Sequence, residues 1–557
     1  MYKRILSKYL LIAIIILGAL LRLFKLTEYP IALNHDEITQ LYDAISIAQT
    51  GRDIYGNFLP TIFTSVNDFK SPFYTYATAF VYQLVGDHEW IIRIPGVIFG
   101  ILVIPAVFWF TVKLLKESRI ALFASFFTAI APFEIFFSRK SFENIAGIFF
   151  LLIGFSCLLS YIEKKDKVRW LYLGVLFLSL GMYTYFSHAI IIPLLLISFT
   201  VIYSKFFLHN IRKVLSAALF FIILILPLLL IIYTNPDARI RTQTVFIGQD
   251  PVLGEQLKLN EKIRILNNVD NAALNKLLDI KILASYSFNR YLQQFDPMYL
   301  YGNGLDFTNE TLIGVGPMLF CFFPFLIFGI IYLASKNSFS NERRFILSWV
   351  LLGMLPSGLT FEEHSPHRVI MVFTMLNIIS AVGFFIFMGF ISRFKNKVRL
   401  VLSGLVSIAI IFNLLYFLHI YFVNFPYEKS HTIQYPFKNV ALFAWSEYEN
   451  YDFIVFDPQF GTEAPIIGVG AHYYFAYYGN YSPAKFQQEY RLGDKPREIL
   501  FDKFSIRGVY WPSDKELKNT LVIVSPWSVP LDLVDQNKII KRFNFYDGTL
   551  AFYAIKL

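Results

Sequence analysis

The chain has 557 residues, of which 56% are hydrophobic, 18% are aromatic and only 16% are charged. This composition excludes a soluble globular protein and indicates a polytopic membrane protein. The formal net charge of +10 does not indicate a nucleic-acid-binding protein, because the excess of basic residues belongs to the loops between apolar runs.

Eleven apolar runs are long enough to cross a hydrocarbon core of about 30 Å. They lie at 10–26, 90–112, 120–137, 144–162, 170–186, 189–207, 214–233, 312–334, 345–360, 368–391 and 399–422. Arg22 and Lys25 follow the most apolar part of the first run without a small-residue cleavage site, so this run predicts a retained span and not a signal peptide. Cys157 and Cys321 fall inside predicted spans, where neither a disulfide framework nor a CxxC metal site is expected.

The distribution of basic residues supports the same topology. Twenty Lys and Arg residues fall in six segments, 3–8, 113–119, 164–169, 205–213, 336–344 and 393–399, and all six lie on one side of the membrane if there are eleven spans. Basic loops mark the cytoplasmic side. We therefore predict a multi-pass protein of the plasma (cytoplasmic) membrane, with its N-terminus in the cytoplasm and the tail after residue 423 outside.

Three segments, 27–89, 234–311 and 424–557, are predicted to lie outside the membrane and are long enough to carry chemistry. The first of them predicts two helices. One runs over 38–50 and ends at Gly51; the other opens at Ser71-Pro72 and closes at Gly86, with proline in its first turn and glycine past its end. Both helices are too short or too polar to span a membrane, and we expect them at its outer interface.

The tail changes character, because its apolar runs shrink to the length of strands. Strands are predicted at 453–456, 521–524, 544–546 and 549–555, with an Asp-Gly turn between the last two, and helices near 436–449 and 483–490. This mixture predicts a small α/β domain. The expected organisation is thus an α-helical polytopic membrane domain over 1–423 and an extracytoplasmic α/β domain over 424–557, in which 14 basic residues nearly balance 15 acidic ones.

An acidic pair, Asp36-Glu37, stands in the first outer segment a few residues after the first span. One interpretation is a solvated helix start, since acidic side chains favour the first turn of a helix. The neighbouring motifs favour a functional interpretation. Lys70-Ser71-Pro72 follows in the same segment, and a run from Gly86 to Pro95, with an arginine two residues before the proline, leads into the second span.

These motifs, in this order and spacing, resemble the polytopic glycosyltransferases of the GT-C class. The resemblance is to the protein O-mannosyltransferase and lipid A aminoarabinose-transferase group, glycosyltransferase family 39, and it covers residues 10–390. Where that group has a lysine and two prolines, this chain has Lys70, Ser71 and Pro72, which keeps the charge and the helix-start proline. Further landmarks are Arg22-Leu23, 181–187, 291–297 and 364–368.

The resemblance implies an inverting enzyme with a site on the outer face, which moves a monosaccharide from a polyprenyl-phosphate carrier to a glycan, lipid or protein acceptor. The residue chemistry fits this reaction. A hydroxyl that attacks an anomeric carbon needs a carboxylate to take its proton. We assign this role to Asp36, with Glu37 making acceptor or structural contacts. The departing phosphate needs fixed positive charge, for which Lys70, Arg368 and Arg139 are the candidates.

Each secondary candidate has a structural alternative that the sequence leaves open. Arg139 and the lysine beside it are equally suited to snorkel to lipid headgroups, and Arg368 is equally placed to neutralise an acid at 362 or 363. Glu143 is either a second acidic site residue or a residue of a helix start. His35 is expected to position or tune the acid beside it, and His367 is a further secondary candidate.

No cofactor is required by the sequence. His364 and His367, with Glu362 and Glu363 nearby, give only a weak zinc signal, because no third histidine stands close to them. A divalent metal is therefore an open alternative and no part of the predicted mechanism. The predicted partners are the lipid-linked sugar donor, the acceptor and the lipid bilayer, with no nucleic acid.

Three other functions fit parts of the pattern. A glycan polymerase or ligase would use a polyprenyl-diphosphate oligosaccharide as its donor. A lipid or solute transporter would need charged residues within its spans, and these are almost absent here. A sensor that binds a ligand with its tail would leave the eleven spans and the charged first segment unexplained.

Overall fold

The structure, a computed structural model, describes residues 2–65, 68–164, 167–234, 245–267, 271–302, 312–335, 340–362 and 364–557. Lys165, Lys336, Glu363 and parts of the predicted segment 234–311 lie outside the described residues. The chain divides into two compact units. The helical unit comprises Met1–Phe24, Gly96–Ser138 and Phe142–Leu418, and the mixed unit comprises Lys25–Pro95, Arg139–Ser141 and His419–Leu557.

The helical unit consists of α-helices joined by turns and loops. Their bounds are Tyr2–Leu23, Ile94–Leu115, Ser118–Ile130, Pro132–Ser138, Asn144–Glu163, Arg169–Met182, Phe186–Ile202, Ser204–His209, Ile211–Thr234, Pro251–Leu266, Ala272–Gln293, Phe323–Ser335, Ser340–Gly353, Leu355–Gly358, Pro366–Ile391 and Asn396–His419. Short 3₁₀ or π turns lie at Ile247–Gln249, Met298–Gly302 and Phe320–Phe322. Each of the eleven predicted spans overlaps one or two of these helices, although the first half of the span 312–334 is mostly non-helical.

Within the described residues, six helical stretches are long and apolar enough to cross a membrane on their own: Leu6–Leu23, Glu89–Leu115, Asn144–Glu163, Ile211–Thr234, Pro366–Ile391 and Asn396–Lys429. A bent pair, Ser118–Ile130 with Pro132–Ser138, makes a seventh. Three further apolar helices are shorter: Arg169–Met182, Phe186–Ile202 and Phe320–Ser335. The prediction of an α-helical multi-pass membrane protein is confirmed, and the count of eleven spans stays a prediction.

Helix Pro366–Ile391 forms the core of the helical unit, since 89% of its most apolar stretch is buried. Two glycines let a neighbouring helix approach it closely. A Cβ atom at Gly383 would lie 1.8 Å from the Phe325 carbonyl oxygen, and one at Gly329 would lie 2.1 Å from the Ile379 carbonyl oxygen. Small residues at a helix crossing are typical of packing between membrane helices.

A buried arginine holds the first helix against the bent pair. The bend of 56° falls at Pro132, which has no N–H to donate to the preceding turn. The carbonyls of Thr128 and Ala129 accept hydrogen bonds from the Arg22 guanidinium, at 3.4 and 3.0 Å, and Arg22 is fully buried. Arg22 thus supplies hydrogen-bond donors to two backbone carbonyls, which would have no water to accept from inside a membrane.

A seven-stranded mixed sheet forms the centre of the mixed unit. Its strands stand in the order Ile539–Asn544, Leu550–Lys556, Thr520–Val524, Phe453–Phe456, Phe504–Ile506, Ile499–Phe501 and Arg491–Leu492. Phe453–Phe456 runs parallel to both of its neighbours, and the other pairs are antiparallel. The predicted tail of sheet and helices is therefore confirmed.

Smaller elements complete the mixed unit. Two-stranded sheets pair Phe63–Ser65 with Asp68–Lys70, and Gln459–Phe460 with Ile466–Ile467. The α-helices are His35–Thr50, Pro72–Val85, Phe425–Lys429, Phe437–Ser446, Ala471–Tyr478, Pro483–Glu489 and Trp511–Asp514. The 3₁₀ or π turns are Glu89–Arg93, Ile420–Asn424, Tyr448–Asn450, Leu531–Leu533 and Gln536–Lys538.

Both predicted helices of the segment 27–89 are present. The first is His35–Thr50, which begins three residues before the predicted start and ends as predicted at Gly51, with φ of 70°. The second is Pro72–Val85, preceded by Ser71 and followed by Gly86 with φ of 82°. Glycine adopts these left-handed backbone angles without the steric cost that a side chain would add.

The tail and the first outer segment share one hydrophobic core. Tyr42 of the first of these helices donates a hydrogen bond to the Tyr481 carbonyl at 2.8 Å, and Tyr474 donates one to the Leu33 carbonyl at 2.7 Å. Tyr474 lies on helix Ala471–Tyr478, which the sequence analysis did not predict, because this helix is aromatic on all sides and shows no apolar and polar faces. The tail therefore supports the segment that carries the acidic pair.

A buried acid makes the stability of the mixed unit depend on pH. Asp43 is 3% exposed, and its Oδ1 accepts a hydrogen bond from Ile54 N at 3.2 Å. Burial, with a smaller contribution from Asp53, raises the pKa of the Asp43 carboxyl to about 8. An unfolded aspartate has a pKa of about 3.9. The stability that the proton on Asp43 provides is therefore complete below about pH 4 and is lost as the pH rises through about 8.

We expect wild-type protein to lose stability relative to Asp43→Asn as the pH rises from about 4 to about 8, by an amount on the order of a few kcal/mol. The asparagine side chain is neutral at every pH, so it does not titrate. Thermal unfolding of both proteins in detergent across this pH range measures the difference. Asp532→Asn, at an exposed position, is the control and should follow wild type. A wild-type and Asp43→Asn difference that stays constant with pH would contradict the expectation.

Candidate functional site

The acidic pair opens helix His35–Thr50. The Asn34 side-chain oxygen accepts from Glu37 N at 2.8 Å, and Asn34 N donates to Glu37 Oε2 at 3.2 Å. This reciprocal arrangement is a capping box. It fixes the first helical turn, in which successive side chains point about 100° apart. Asp36 and Glu37 therefore face different surroundings.

Glu37 is buried, and its charge is used within the mixed unit. Its side chain is 1% exposed, and Oε1 lies 3.3 Å from Arg93 Nε. The buried Arg93 also donates to the carbonyls of Leu26, Pro30 and Ala32 at 3.0 to 3.1 Å. This guanidinium clamps the loop that precedes the acidic pair. Sequence reasoning gave Arg93 no role beyond its place in a motif, because its partners are distant in sequence.

Asp36 is held by Lys70. Lys70 Nζ lies 2.7 Å from Asp36 Oδ1 and donates to the Asp36 carbonyl and to Thr39 Oγ1, both at 2.9 Å. These three contacts match the three hydrogens of an ammonium group. Lys70 ends a strand, and the buried Ser71-Pro72 start of the next helix follows it directly. In this arrangement Lys70 positions Asp36, and its hydrogens are already in use.

The Asp36 carboxylate keeps a partly exposed side. The Asp36 side chain is 36% exposed, against 6% for that of Lys70. Asp36 Oδ2 lies 3.7 Å from Nε2 of His35, which is also partly exposed. The structure thus brings the predicted residues His35, Asp36, Glu37 and Lys70 together at one helix start. Glu37 supports the loop, and Asp36 keeps a partly exposed carboxylate.

Arg139 also belongs to the mixed unit, where it serves packing. It is fully buried, Nε donates to Tyr421 Oη at 3.0 Å, and Nη2 donates to the carbonyls of Lys25 and Tyr29 at 3.3 and 3.1 Å. Its guanidinium lies over the rings of Tyr421 and Phe422, 5.3 and 5.4 Å from their centroids. Full burial does not match a residue that snorkels to headgroups, and a phosphate would compete with these partners.

The remaining predicted site residues lie in the helical unit, at the beginnings of two helices. Glu143 precedes one helix, whose first residue Asn144 donates from Nδ2 to the His367 carbonyl at 2.8 Å. Arg368 Nη2 lies 3.1 Å from Oε2 of Glu362, one of the two acids named as its structural partners. Arg368 Nη1 is buried and has no hydrogen-bond partner among the described residues. This guanidinium therefore keeps a donor with which to bind an anion.

The described residues contain no group of three His, Cys, Asp or Glu side chains placed to hold a metal ion. Two of the residues behind the weak zinc signal have other contacts. Glu362 pairs with Arg368, and the His364 ring lies 4.2 Å from the ring of Tyr299, centroid to centroid. These side chains take part in ion pairing and ring packing.

A cavity of about 270 Å³ lies in the mixed unit. Its lining residues are Thr27, Pro30, Ile31, Ala32, Leu33, His88, Glu89, Trp90, Arg93 and Lys438. Leu33 stands three residues before Asp36, so their Cα atoms lie at most about 11 Å apart. Its walls include the stacked rings of His88 and Trp90, whose centroids lie 5.3 Å apart, and the Glu89–Lys438 ion pair. It offers polar and aromatic contacts near the acid.

A protein-family model matches part of this chain. Residues 69–231 match the family model described as dolichyl-phosphate-mannose-protein mannosyltransferase. Lys70 stands at the start of the matched stretch, and Asp36 precedes it. A comparison with curated protein sequences finds no significant match.

Two solved structures are similar to this one at low sequence identity. ArnT from Cupriavidus metallidurans, bound to undecaprenyl phosphate, is 11% identical, with a TM-score of 0.54 over 99% of this chain and 97% of that one. The archaeal oligosaccharyltransferase AglB from Archaeoglobus fulgidus, in complex with an inhibitory peptide and a dolichol-phosphate, is 12% identical, with a TM-score of 0.51 over 86% of this chain. This chain spans 64% of the length of that oligosaccharyltransferase.

The resemblance to the GT-C class that the sequence motifs indicated is confirmed by the family match and by the fold. The similarity to ArnT includes the tail, since it covers nearly the whole chain. At identities of 11 to 12% these structures establish the fold. The chemistry of this chain is argued from its own residues.

Proposed function

We propose that this protein is an inverting glycosyltransferase, a hexosyl- or pentosyltransferase that moves a monosaccharide from a polyprenyl-phosphate carrier to an acceptor on the outer face of the membrane. The observation that carries the proposal is the Asp36 carboxylate, whose Oδ1 lies 2.7 Å from Lys70 Nζ and whose side chain is 36% exposed. The family match and the undecaprenyl phosphate bound to ArnT support a donor in which a sugar is linked to a lipid phosphate.

Asp36 acts in this proposal as the general base. Lys70 orients the carboxylate through Oδ1, and the partly exposed carboxylate takes the proton of the acceptor hydroxyl while the hydroxyl oxygen attacks the anomeric carbon. The bond from this carbon to the carrier phosphate breaks on the opposite face of the sugar, which inverts the configuration. His35 stands 3.7 Å from Oδ2 and positions or tunes the acid. Glu37 keeps the helix start in place through its pair with Arg93.

Arg368 is the proposed contact of the departing phosphate. Its unused, buried Nη1 donor favours an anion, and its position in the first turn of helix Pro366–Ile391 adds the positive end of the helix dipole. Lys70, the other predicted phosphate contact, has its three hydrogens engaged by Asp36 and Thr39, so its part in the proposal is to orient the carboxylate. Arg139, with its donors engaged in packing, is the next candidate. Glu143 and His367 stay secondary candidates of the same site.

We propose that the N-terminus is cytoplasmic and that the mixed unit faces outside, on the basis of the alternating basic loops. A reporter that is active only outside the cytoplasm should be active when fused after Leu557. The same reporter placed in the basic segment 393–399 should be inactive and serves as the control. The reverse pattern would contradict the orientation and transfer the proposed site to the inner face.

Asp36→Asn should reduce turnover by about 10²- to 10⁴-fold, the usual contribution of a positioned general base. Fold and membrane insertion should persist, because the amide keeps an oxygen for Lys70. The assay is transfer by purified protein from a panel of labelled polyprenyl-phosphate sugars at saturating donor, with a polyprenyl-diphosphate oligosaccharide included. Near-normal turnover would contradict the role of Asp36. Transfer from the diphosphate donor alone would identify a polymerase or ligase.

Two matched controls separate chemistry from folding. Glu37→Gln should cost less turnover than Asp36→Asn, because Glu37 is not the proposed base. Its loss should appear in thermal unfolding, since one amide oxygen cannot both accept the capping hydrogen bond and pair with Arg93. Arg93→Ala should destabilise the mixed unit by about 3–5 kcal/mol, because it leaves the Glu37 charge buried and unpaired. Thermal unfolding should show this loss for Arg93→Ala and a wild-type midpoint for Asp36→Asn.

Arg368→Ala should weaken binding of the lipid-phosphate donor by about 10-fold or more, since charge-assisted hydrogen bonds contribute about 1.5–3 kcal/mol. Lys70→Ala should lower turnover, because it releases the Asp36 carboxylate that Lys70 orients. Arg368→Lys should rescue binding only in part, because lysine keeps the charge and loses the planar fork. Calorimetry in detergent with a non-transferable donor analogue measures affinity apart from chemistry.

Glu362→Gln is the matched control for Arg368, because it removes the competing carboxylate and keeps the guanidinium. Donor affinity in this variant should equal or exceed that of wild type. Unchanged affinity and turnover in both Arg368→Ala and Lys70→Ala would place the phosphate elsewhere and make Arg139 the residue to test.

A further inference from the structure

Two amphipathic helices of the helical unit, Pro251–Leu266 and Ala272–Gln293, form a hairpin that has no role in the proposed chemistry. Polar contacts join the two helices. Asn260 Nδ2 donates to Asp279 Oδ1 at 3.3 Å, and Arg264 Nη1 lies 3.2 Å from the same oxygen. The inner face of the hairpin thus carries an ion pair and hydrogen bonds.

The base of the hairpin is fixed to the helical unit. Asp250, 4% exposed, caps the first helix and lies 2.7 Å from Tyr286 Oη and 3.1 Å from Arg290 Nη2 of the second helix. Tyr291 Oη, near the end of the second helix, donates to the Leu351 carbonyl at 3.0 Å. These contacts set the direction in which the hairpin leaves the unit.

The second helix exposes its large apolar residues along one side. No residue of this helix is buried. At about 100° per residue the exposed apolar side chains fall within an arc of about 120° on the side turned away from Asp279. They are Leu274, Leu277, Ile280, Phe288 and Leu292, each between 44% and 63% exposed. We call these five residues the apolar stripe.

The first helix adds a second row of exposed apolar residues. Val252, Leu259, Ile263 and Leu266 follow helical spacing and are 49% to 72% exposed. Water is a poor environment for two such exposed apolar rows, and patches of this kind mark a surface that another apolar phase or partner covers.

The charge of the hairpin and its position in the chain indicate what covers the exposed apolar rows. Residues 251–293 carry six basic and four acidic residues, and Lys258, Lys262, Lys276 and Lys281 are exposed. By helical spacing Lys281 falls inside the arc of the apolar stripe, where its long stem can extend to the headgroups. Lysines on or beside an apolar row are typical of helices that lie in a membrane interface and contact anionic headgroups. Leu347 and Leu351, exposed on helix Ser340–Gly353, continue the apolar surface from the point where Tyr291 is attached.

We propose that the hairpin lies on the bilayer, with the apolar stripe inserted at the boundary between headgroups and acyl chains and the lysines at the headgroups. The occupant of the stripe is the lipid surface. The hairpin follows Ile211–Thr234, a span, and precedes further membrane helices, so the bilayer is within its reach. This inference is independent of the proposed glycosyl transfer.

The test uses full-length protein in nanodiscs of phosphatidylethanolamine and phosphatidylglycerol. Both native cysteines are replaced (Cys157→Ala and Cys321→Ala), and each variant carries one new cysteine. Ile280→Cys and Phe288→Cys place an environment-sensitive fluorophore on the stripe. Asn289→Cys is the matched control, because Asn289 is exposed on the same helix next to Phe288 and outside the stripe. Each label is challenged with nitroxide-bearing lipids and, separately, with iodide in the buffer.

The labels at positions 280 and 288 should show blue-shifted emission, lose most of their fluorescence to the nitroxide lipids and resist iodide. The label at 289 should respond chiefly to iodide. Strong iodide quenching at all three positions would overturn the proposal, because the stripe would then face water. Resistance of 280 and 288 to both quenchers would also overturn it, because protein, from this chain or a second copy, would then cover the stripe.

Discussion

The clamp formed by Arg93 is the constraint on which the candidate site depends. One guanidinium binds Glu37 and three carbonyls of the loop before the acidic pair, and both charged side chains are buried. A buried ion pair stabilises little against an apolar replacement, but losing one partner costs about 3–5 kcal/mol. The clamp therefore selects one conformation of the loop that precedes Asp36. It makes this conformation lower in free energy than the alternatives and so fixes the position of Asp36.

Neighbouring acids with different surroundings take different roles. Glu37 is enclosed by its cap and by Arg93, so it cannot exchange protons with a substrate that stays outside the unit. Asp36 keeps one oxygen on Lys70 and a third of its surface exposed. The capping box fixes the first helical turn, so Asp36 and Glu37 point in different directions although they are neighbours in sequence. Glu37 therefore supports the loop, and Asp36 is the residue proposed for the chemistry. The shared core with the tail holds this turn from the other side.

Local signals in the sequence were enough to predict helix ends, and distant contacts were not. Gly51 and Gly86 end their helices because a left-handed angle is a property of one residue. The pairing of Asp36 with Lys70 joins residues 34 positions apart, and no periodicity encodes it. Arg139 was judged from its place outside a predicted span, whereas its burial among aromatic rings depends on residues near 421. The sequence analysis predicted no helix in the segment that forms the hairpin, and the apolar stripe was found only in the structure.

Helix Tyr2–Leu23 has the composition of a membrane anchor, but its Arg22 side chain also donates hydrogen bonds to the backbone of another predicted span. The break at Pro132 is tolerable in lipid because a side chain from a different helix takes over the carbonyls of Thr128 and Ala129. An unrelated anchor of equal length and hydropathy would insert equally well and leave those carbonyls bare, at several kcal/mol each. Helix Tyr2–Leu23 therefore cannot be exchanged for an unrelated apolar helix, because the backbone of the bent pair depends on its Arg22 side chain.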